Sequence, residues 1–140
     1  PELERMARRR LRQIRFPGRL IEGSAESVPL PDGSMDTVVS TWTLCSIPDP
    51  ARALAEIRRV LRPGGRFIFI EHGRSPDAGV LAWQDRLDPM WQRVAGGCHL
   101  NRAMDSLIAS GGFRITEINR GYNRGPRPFT YLYRGLGVRS

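Results

Sequence analysis

The sequence predicts one α/β domain built on an open sheet, and three observations carry that expectation. A β-branched run, Asp36–Thr41, and an apolar run, Phe67–Ile70, enclose a stripe of helical period, which together make a strand–helix–strand unit. The length, 140 residues, suits a single domain, since domains usually run to about 100–150 residues. The composition, 40% hydrophobic and 26% charged, is an ordinary globular balance that argues against wholesale disorder. No apolar run approaches the roughly 20 residues of a membrane-spanning helix.

The elements follow in order. Leu3, Met6, Ala7, Leu11 and Ile14 recur at three- and four-residue spacing and predict an amphipathic helix with an arginine-rich outer face, stopped by Pro17-Gly18. Arg19–Glu22 reads as a short strand, and Gly23–Gly33, rich in Ser, Pro, Asp and Gly, as a loop. Asp36–Thr41 reads as a buried strand. Asp49 is placed to cap a helix whose first residue is Pro50, where the missing N–H costs nothing. Ala53, Leu54, Ile57, Val60 and Leu61 form its apolar stripe, and Arg58, Arg59 and Arg62 bring positive charge to its last turn. Pro63-Gly64-Gly65 turns the chain into Phe67–Ile70, expected as a central strand covered on both faces. The crossover between the two strands should be right-handed.

Downstream, Val80, Trp83, Leu87, Trp91 and Val94 predict a helix kinked or broken near Asp88-Pro89. Asn101 can cap a short helix through Ile108, ended by Gly111-Gly112, and Phe113–Ile118 and Phe129–Tyr133 read as two closing strands.

Charge is unevenly spread. The net charge is +8, and all twenty-two basic residues are arginine. Residues 1–20 carry seven Arg against two Glu, and residues 114–140 six Arg against one Glu. Such a chain can meet nucleic acid or an anionic membrane surface, although codon bias and solvated helix faces account for the same pattern. Two cysteines, Cys45 and Cys98, are too few for a disulfide scaffold and fit no zinc spacing, so a reducing, cytoplasmic setting is expected. The chain opens at Pro1 directly into a helical pattern with no signal peptide, as expected for a piece of a longer protein.

In an open α/β sheet, ligands sit beyond the carboxyl ends of the strands. Three such ends should open on one edge here: Glu22–Glu26, Ser40-Thr41-Trp42 and Glu71-His72-Gly73.

Three segments in order carry a family resemblance. They are Glu22–Asp36, Val38–Ile47 and Ala55–Gly65, the last with its Leu61-Arg-Pro-Gly-Gly turn. Together they resemble the class I S-adenosylmethionine-dependent methyltransferases of the methyltransferase type 11 group. A narrower likeness, carried by Phe69–His72, Trp83-Gln84, Asp88–Trp91, Gly96–His99 and Arg102, is to the methyltransferase-like thiol S-methyltransferases. The resemblance implies a Rossmann-like class I methyltransferase sheet with helices on both faces, here lacking the first strands. No glycine-rich loop and no acidic ribose-binding residue precede the first helix. Residues 1–140 are then the C-terminal portion of a single methyltransferase domain, and activity of this stretch by itself is in question.

The cofactor implied is S-adenosyl-L-methionine. Ser24, Ala25 and Glu26 match the segment lying against the adenine, with Ser24 where many relatives carry Asp. Ser40, Thr41 and Trp42 would line the methionyl group and the transferring methyl. Ser24–Glu26 also reads as an ordinary polar turn, and Trp42 as a packing residue. His72 is the candidate catalytic base, with a reference pKa near 6.5, or a hydrogen-bonded strand-end residue; Glu71 is placed to orient it. Trp83, Met90 and Trp91 could wall an apolar acceptor pocket or pack in the core. Cys98-His99 invites a metal or nucleophile reading but has no second Cys or His nearby in sequence, and Cys45 reads as a small buried hydrophobe.

The expected function is methyl transfer to a small thiol or other soft apolar acceptor, with a small molecule as partner and no nucleic acid. The alternatives are a lipid or quinone methyltransferase and a non-catalytic basic binding fragment. Peripheral membrane contact and oligomeric state stay open.

Overall fold

In the computed structural model, residues 2–15 and 17–140 are described, without the side chains of Glu2 and Leu3. The Leu3 position of the predicted first stripe therefore lies outside the described side chains. Helix α1 spans Glu2–Leu11. Strand β1 spans Met35–Thr41, helix α2 Pro50–Val60 and strand β2 Leu61–His72. Helices α3 (Ala78–Val94) and α4 (Met104–Ser110) follow, then strands β3 (Phe113–Tyr122) and β4 (Tyr131–Arg139). The four strands form one sheet in the order β1-β2-β4-β3. β1 and β2 run parallel, whereas β4 is antiparallel to both β2 and β3.

The βαβ unit forms because each local signal agrees. Asp49 accepts a hydrogen bond from the Arg52 amide (3.0 Å) and Pro50 opens α2, as its fixed backbone favours. Ala53, Leu54 and Ile57 share one core cluster with Phe67 and Phe69 of β2, to which Met104, Ile108 and Phe113 also belong, and Val60 is buried as well. β2 begins at Leu61, directly after α2, so Pro63-Gly64-Gly65 lies within the strand rather than ahead of it. Gly64, at a left-handed φ of +72° that a glycine adopts freely, falls where the register with β1 shifts between the Met35–Leu61 and Thr37–Arg66 pairs.

Alternation along β2 corrects the expectation of a strand covered on both faces. Phe67 and Phe69 are fully buried, but Ile68 is 38% exposed and its register partner Val39 61%. Successive side chains point to opposite faces, and no helix among the described residues packs over the Val39–Ile68 side.

Other boundaries move for identifiable reasons. Arg19–Glu22 makes no strand: its backbone is exposed and finds no partner strand. Met6 and Ile14, in the predicted α1 stripe, are exposed. α3 runs through Pro89 without a break, and its buried side chains are Gln84 and Asp88 rather than the Trp83–Trp91 stripe. Asn101 does not cap α4. Its side chain donates to Asp85 (2.7 Å), and Ala103 occupies the cap position. The last strand starts at Tyr131, because Arg127–Phe129 forms a turn of 3₁₀-helix.

The second half of the Gly23–Gly33 loop is fastened to α2 through Glu56 and Arg59. Glu56 accepts from the Val28 amide (2.8 Å) and from Arg59 (2.7 and 2.9 Å). Arg59 in turn donates to the Leu30 and Val28 carbonyls and to Asp32. Arg59 thus acts as a loop fastener, beyond any effect on the helix dipole. Its guanidinium beside Glu56, joined by the Val28 amide, holds the Glu56 carboxyl down at about 2. A carboxylate whose pKa is depressed on folding adds stability above its unfolded value of about 4.3, and that stability is lost as pH falls through the folded value. Chemical denaturation between pH 5 and about pH 2 should therefore show a stability loss that Glu56→Gln reduces; equal pH slopes in both proteins would contradict this.

Candidate functional site

The carboxyl ends of β1 and β2 are joined by a buried carboxylate. Glu71 is fully buried at the end of β2. It accepts from the Ser40 hydroxyl (2.6 Å), the Thr43 amide (3.0 Å) and the Cys45 amide (3.3 Å). The same turn is held from its carbonyl side. Arg102 donates to the carbonyl oxygens of Leu44 (2.6 Å) and Ile47 (2.8 Å). Burial holds the Arg102 pKa below its usual value, and the nearby thiols and carboxylates offset only part of that lowering. Residues 43–47 therefore sit between an acceptor that takes their N–H groups and a donor that takes their C=O groups. Each buried polar group in this arrangement has a partner, which is the condition for burying them at all.

Trp42 precedes this clamp with φ +54°, a left-handed backbone that a bulky residue adopts only when its surroundings hold it. Its amide donates to Ile70 (3.0 Å) and the next amide is taken by Glu71. The indole is consequently presented outward, 54% exposed, with its ring centroid 6.2 Å from that of His72. His72 itself is only 2% exposed. Its Nδ1 lies 3.6 Å from Cys98 Sγ, and its buried Nε2 has no hydrogen-bond partner.

The Ser24–Ser27 turn reaches the same end of the sheet through α2. Ser24 Oγ accepts from the Glu26 amide (3.1 Å), and the Ser24 carbonyl accepts from the Ser27 amide (3.1 Å). Glu26 accepts from the Asp49 amide (2.9 Å) and gives its carbonyl to Arg52 (3.0 Å), so the turn is docked on the N-terminus of α2. Ala25 packs against the core beside it.

The predicted residues thus divide. Ser24, Thr41 and Trp42 are exposed at the strand ends. Ser40 and Glu26 spend their side chains on structure, Ser40 on Glu71 and Glu26 on α2. Glu71 does not orient His72: alternation along β2 sends the two side chains to opposite faces, and its oxygens serve the 43–47 turn. Trp83, Met90 and Trp91 form no common wall. Trp83 and Met90 are exposed, and Trp91 stacks on Phe129 with centroids 4.6 Å apart. Cys45 is buried, as read.

Sequence reasoning missed the polar residues that support the end of the sheet. Gln84 accepts from the Ser75 amide (2.9 Å) and donates to the Gly73 and Pro128 carbonyls (both 3.1 Å). Asp88 accepts from the Leu100 amide (2.6 Å), Gln92 (2.6 Å) and His99 (3.2 Å). Their i, i+4 spacing was the available signal, a polar pair on one helix face opposite the conspicuous aromatics. Cys98, set aside as ligand or nucleophile for want of a second Cys or His nearby in sequence, has such neighbours in space in His72 and Cys45. Hydrogen bonding from Cys45, followed by His72, holds its thiol well below the usual range, whereas engagement with Cys98 and burial push Cys45 up.

Known proteins resemble this chain in sequence and in fold. The family model described as a methyltransferase domain matches residues 1–69. The chain is 40% identical over 104 residues to thiol S-methyltransferase TMT1B of Rattus norvegicus, covering 74% of this chain and 41% of that protein. It is 49% identical over 59 residues to the ubiquinone/menaquinone biosynthesis C-methyltransferase UbiE of Methylobacterium nodulans, covering 41% of this chain and 23% of the other. A SAM-dependent methyltransferase structure from Methanosarcina mazei superposes with a TM-score of 0.70 at 19% identity, covering 96% of this chain and 76% of that one, a likeness of fold. The chain is similar in sequence to S-adenosylmethionine-dependent methyltransferases, with the methyltransferase-domain model matching just under half of it, and it has their Rossmann-like α/β fold. Within them, its sequence is similar to the thiol S-methyltransferases over about three quarters of its length. It spans about two fifths of the length of those curated relatives.

Replacing Glu71 by Ala leaves a buried hydroxyl and two amides without their acceptor. Since each unsatisfied buried group costs about 1–3 kcal/mol, urea denaturation should show a loss of at least about 2 kcal/mol. A loss under about 0.5 kcal/mol, the size of an ordinary surface change, would show that the carboxylate does not hold the turn.

Proposed function

We propose that the protein transfers a methyl group from S-adenosylmethionine to a small thiol or other soft, apolar acceptor, with His72 taking the acceptor's proton. The observation that carries this reading is the buried, unpartnered Nε2 of His72 behind the exposed Trp42 ring, at the strand ends where ligands of this fold sit. An unpartnered buried nitrogen costs free energy, and a bound acceptor would satisfy it.

The residues present suit the cofactor's adenine and methyl ends. Ser24 keeps its hydroxyl proton to donate, because its oxygen accepts within the turn. Ala25, packed and backed by α2, offers a fixed backbone edge. Thr41 and Trp42 would border the methyl-bearing end, with the indole supplying an apolar wall. The cofactor supplies a methyl group on a positively charged sulfur, already activated for displacement. What this chain must add is alignment, worth about 7–11 kcal/mol in well-oriented reactions, together with exclusion of water and deprotonation of the acceptor. With the Cys98 thiol held low, Cys98 accepts from His72 Nδ1–H. That fixes the tautomer and leaves Nε2 with the lone pair, the form a general base requires.

The 49% identity to a quinone C-methyltransferase over 59 residues supports a second reading, methylation of a quinone ring carbon. The matched stretch is shorter, and nothing at the strand ends favours a large acceptor over a small one.

The test uses the protein expressed from its whole gene, with methyl-labelled cofactor and a panel of aliphatic thiols and quinols. Label should pass to the thiols, and His72→Gln should lower kcat about 100-fold or more near neutral pH, the usual size of a general-base contribution. The variant should also lose the limb of the pH–rate profile that belongs to the base. Transfer to the quinol alone, or superimposable profiles, would contradict the reading.

A further inference from the structure

Cys98, Cys45 and His72 form a cluster with a second chemical capacity. Cys98 is half-buried in the loop after α3, and Cys45 is buried in the clamped turn after β1. The two backbones are stitched together by the His99 amide, which donates to the Cys45 carbonyl (2.7 Å). The same turn is fixed by Arg102, whose guanidinium feels both sulfurs. Groups able to donate stand around Cys98: His72 Nδ1 is 3.6 Å from its sulfur, and Cys45 belongs to the core cluster that Cys98 packs against. The buried Trp91 indole N–H, with no hydrogen-bond partner of its own, adds its dipole. A sulfur so placed is held as thiolate, the reactive form, and its partial exposure lets a small oxidant in.

We propose that Cys98 is an oxidation site for small hydroperoxides and that Cys45 closes it into an intramolecular disulfide. In the first step the Cys98 thiolate attacks the outer oxygen of the hydroperoxide, ROOH. The O–O bond breaks, RO⁻ leaves and takes up a proton as ROH, and Cys98 becomes a sulfenic acid. In the second step the Cys45 sulfur attacks the Cys98 sulfur. The S–O bond breaks, and the departing hydroxide takes the Cys45 proton and leaves as water. Two thiols and ROOH thus give one disulfide, ROH and water. The coupling between the thiols favours this order. Cys45 holds its proton chiefly because a thiolate stands beside it, and that influence ends once Cys98 is a neutral sulfenic acid. The inference does not depend on the identity of the methyl acceptor or on methyl transfer at all.

The test treats the full chain with stoichiometric hydrogen peroxide, followed by non-reducing digestion and mass spectrometry. The expected product is a linked pair of peptides containing Cys45 and Cys98, lighter by two hydrogens and restored by a reductant. In Cys45→Ser, oxidation should stop at Cys98 as a sulfenic acid trapped by dimedone. In Cys98→Ser, Cys45 should remain a thiol. Circular dichroism selects folded variants, and the pH dependence of iodoacetamide alkylation of wild-type Cys98 gives a variant-free reading. Its midpoint should lie below the ordinary thiol value of about 8.5, and His72→Gln should move it upward. A Cys98 alkylation midpoint at the free-thiol value, prior oxidation of Cys45, or disulfides only between chains would overturn the proposal.

Discussion

The arrangement at the end of the sheet rests on the pairing of a buried carboxylate with one short turn. Glu71 takes the N–H groups of Thr43 and Cys45 and the hydroxyl of Ser40, while Arg102 takes the carbonyls of Leu44 and Ile47. A turn buried without these partners would leave several polar groups unpaired at a cost of about 1–3 kcal/mol each. With them, the turn becomes a fixed mount. The unusual Trp42 backbone, the outward indole, the burial of Cys45 and the closeness of Cys98 to His72 follow from where this mount is held. Glu71 and Arg102 come from elements 31 residues apart in sequence, so the clamp also joins the βαβ core to the approach to α4.

A second polar layer supports the first. Gln84 and Asp88 occupy the buried face of α3, where an amphipathic helix would ordinarily place apolar side chains. They satisfy the backbone of Gly73, Ser75 and Leu100, the irregular segments that leave β2 and enter α4. Irregular backbone beside a sheet edge needs donors and acceptors more than it needs methyl groups. The helix therefore spends its inward face on hydrogen bonds and leaves Trp83, Met90 and Val94 exposed. Pro89 is accommodated within α3, one residue after Asp88.

The parts of the fold legible in the sequence are those fixed by local rules. Asp49-Pro50 at the helix start and the stripe from Ala53 to Val60 carry their own signal, and the βαβ unit follows from them, although Leu61 and Pro63-Gly64-Gly65, read as helix end and turn, already belong to β2. Arg19–Glu22 failed because a strand needs a partner, which no local pattern reveals. The exposed side of β2 was hidden for the same reason, since Ile68 and Val39 look like core residues until their neighbours are known. At the candidate site, the strand ends were readable from topology and resemblance, but the assignment of roles was not. Ser40, Glu26 and Glu71 bear side chains suited to ligands, yet each is engaged by backbone or side-chain groups distant in sequence. Cys98 looked inert because its partners, Cys45 and His72, lie far along the chain.

Amide hydrogen exchange at Thr43 and Cys45 tests the clamp most directly. If the buried carboxylate governs the turn, both amides should exchange as slowly as those of β2, although they belong to a loop. Exchange as fast as at the exposed Arg124–Gly125 bend would mean that the turn opens freely, and that the strand-end site is not built on Glu71.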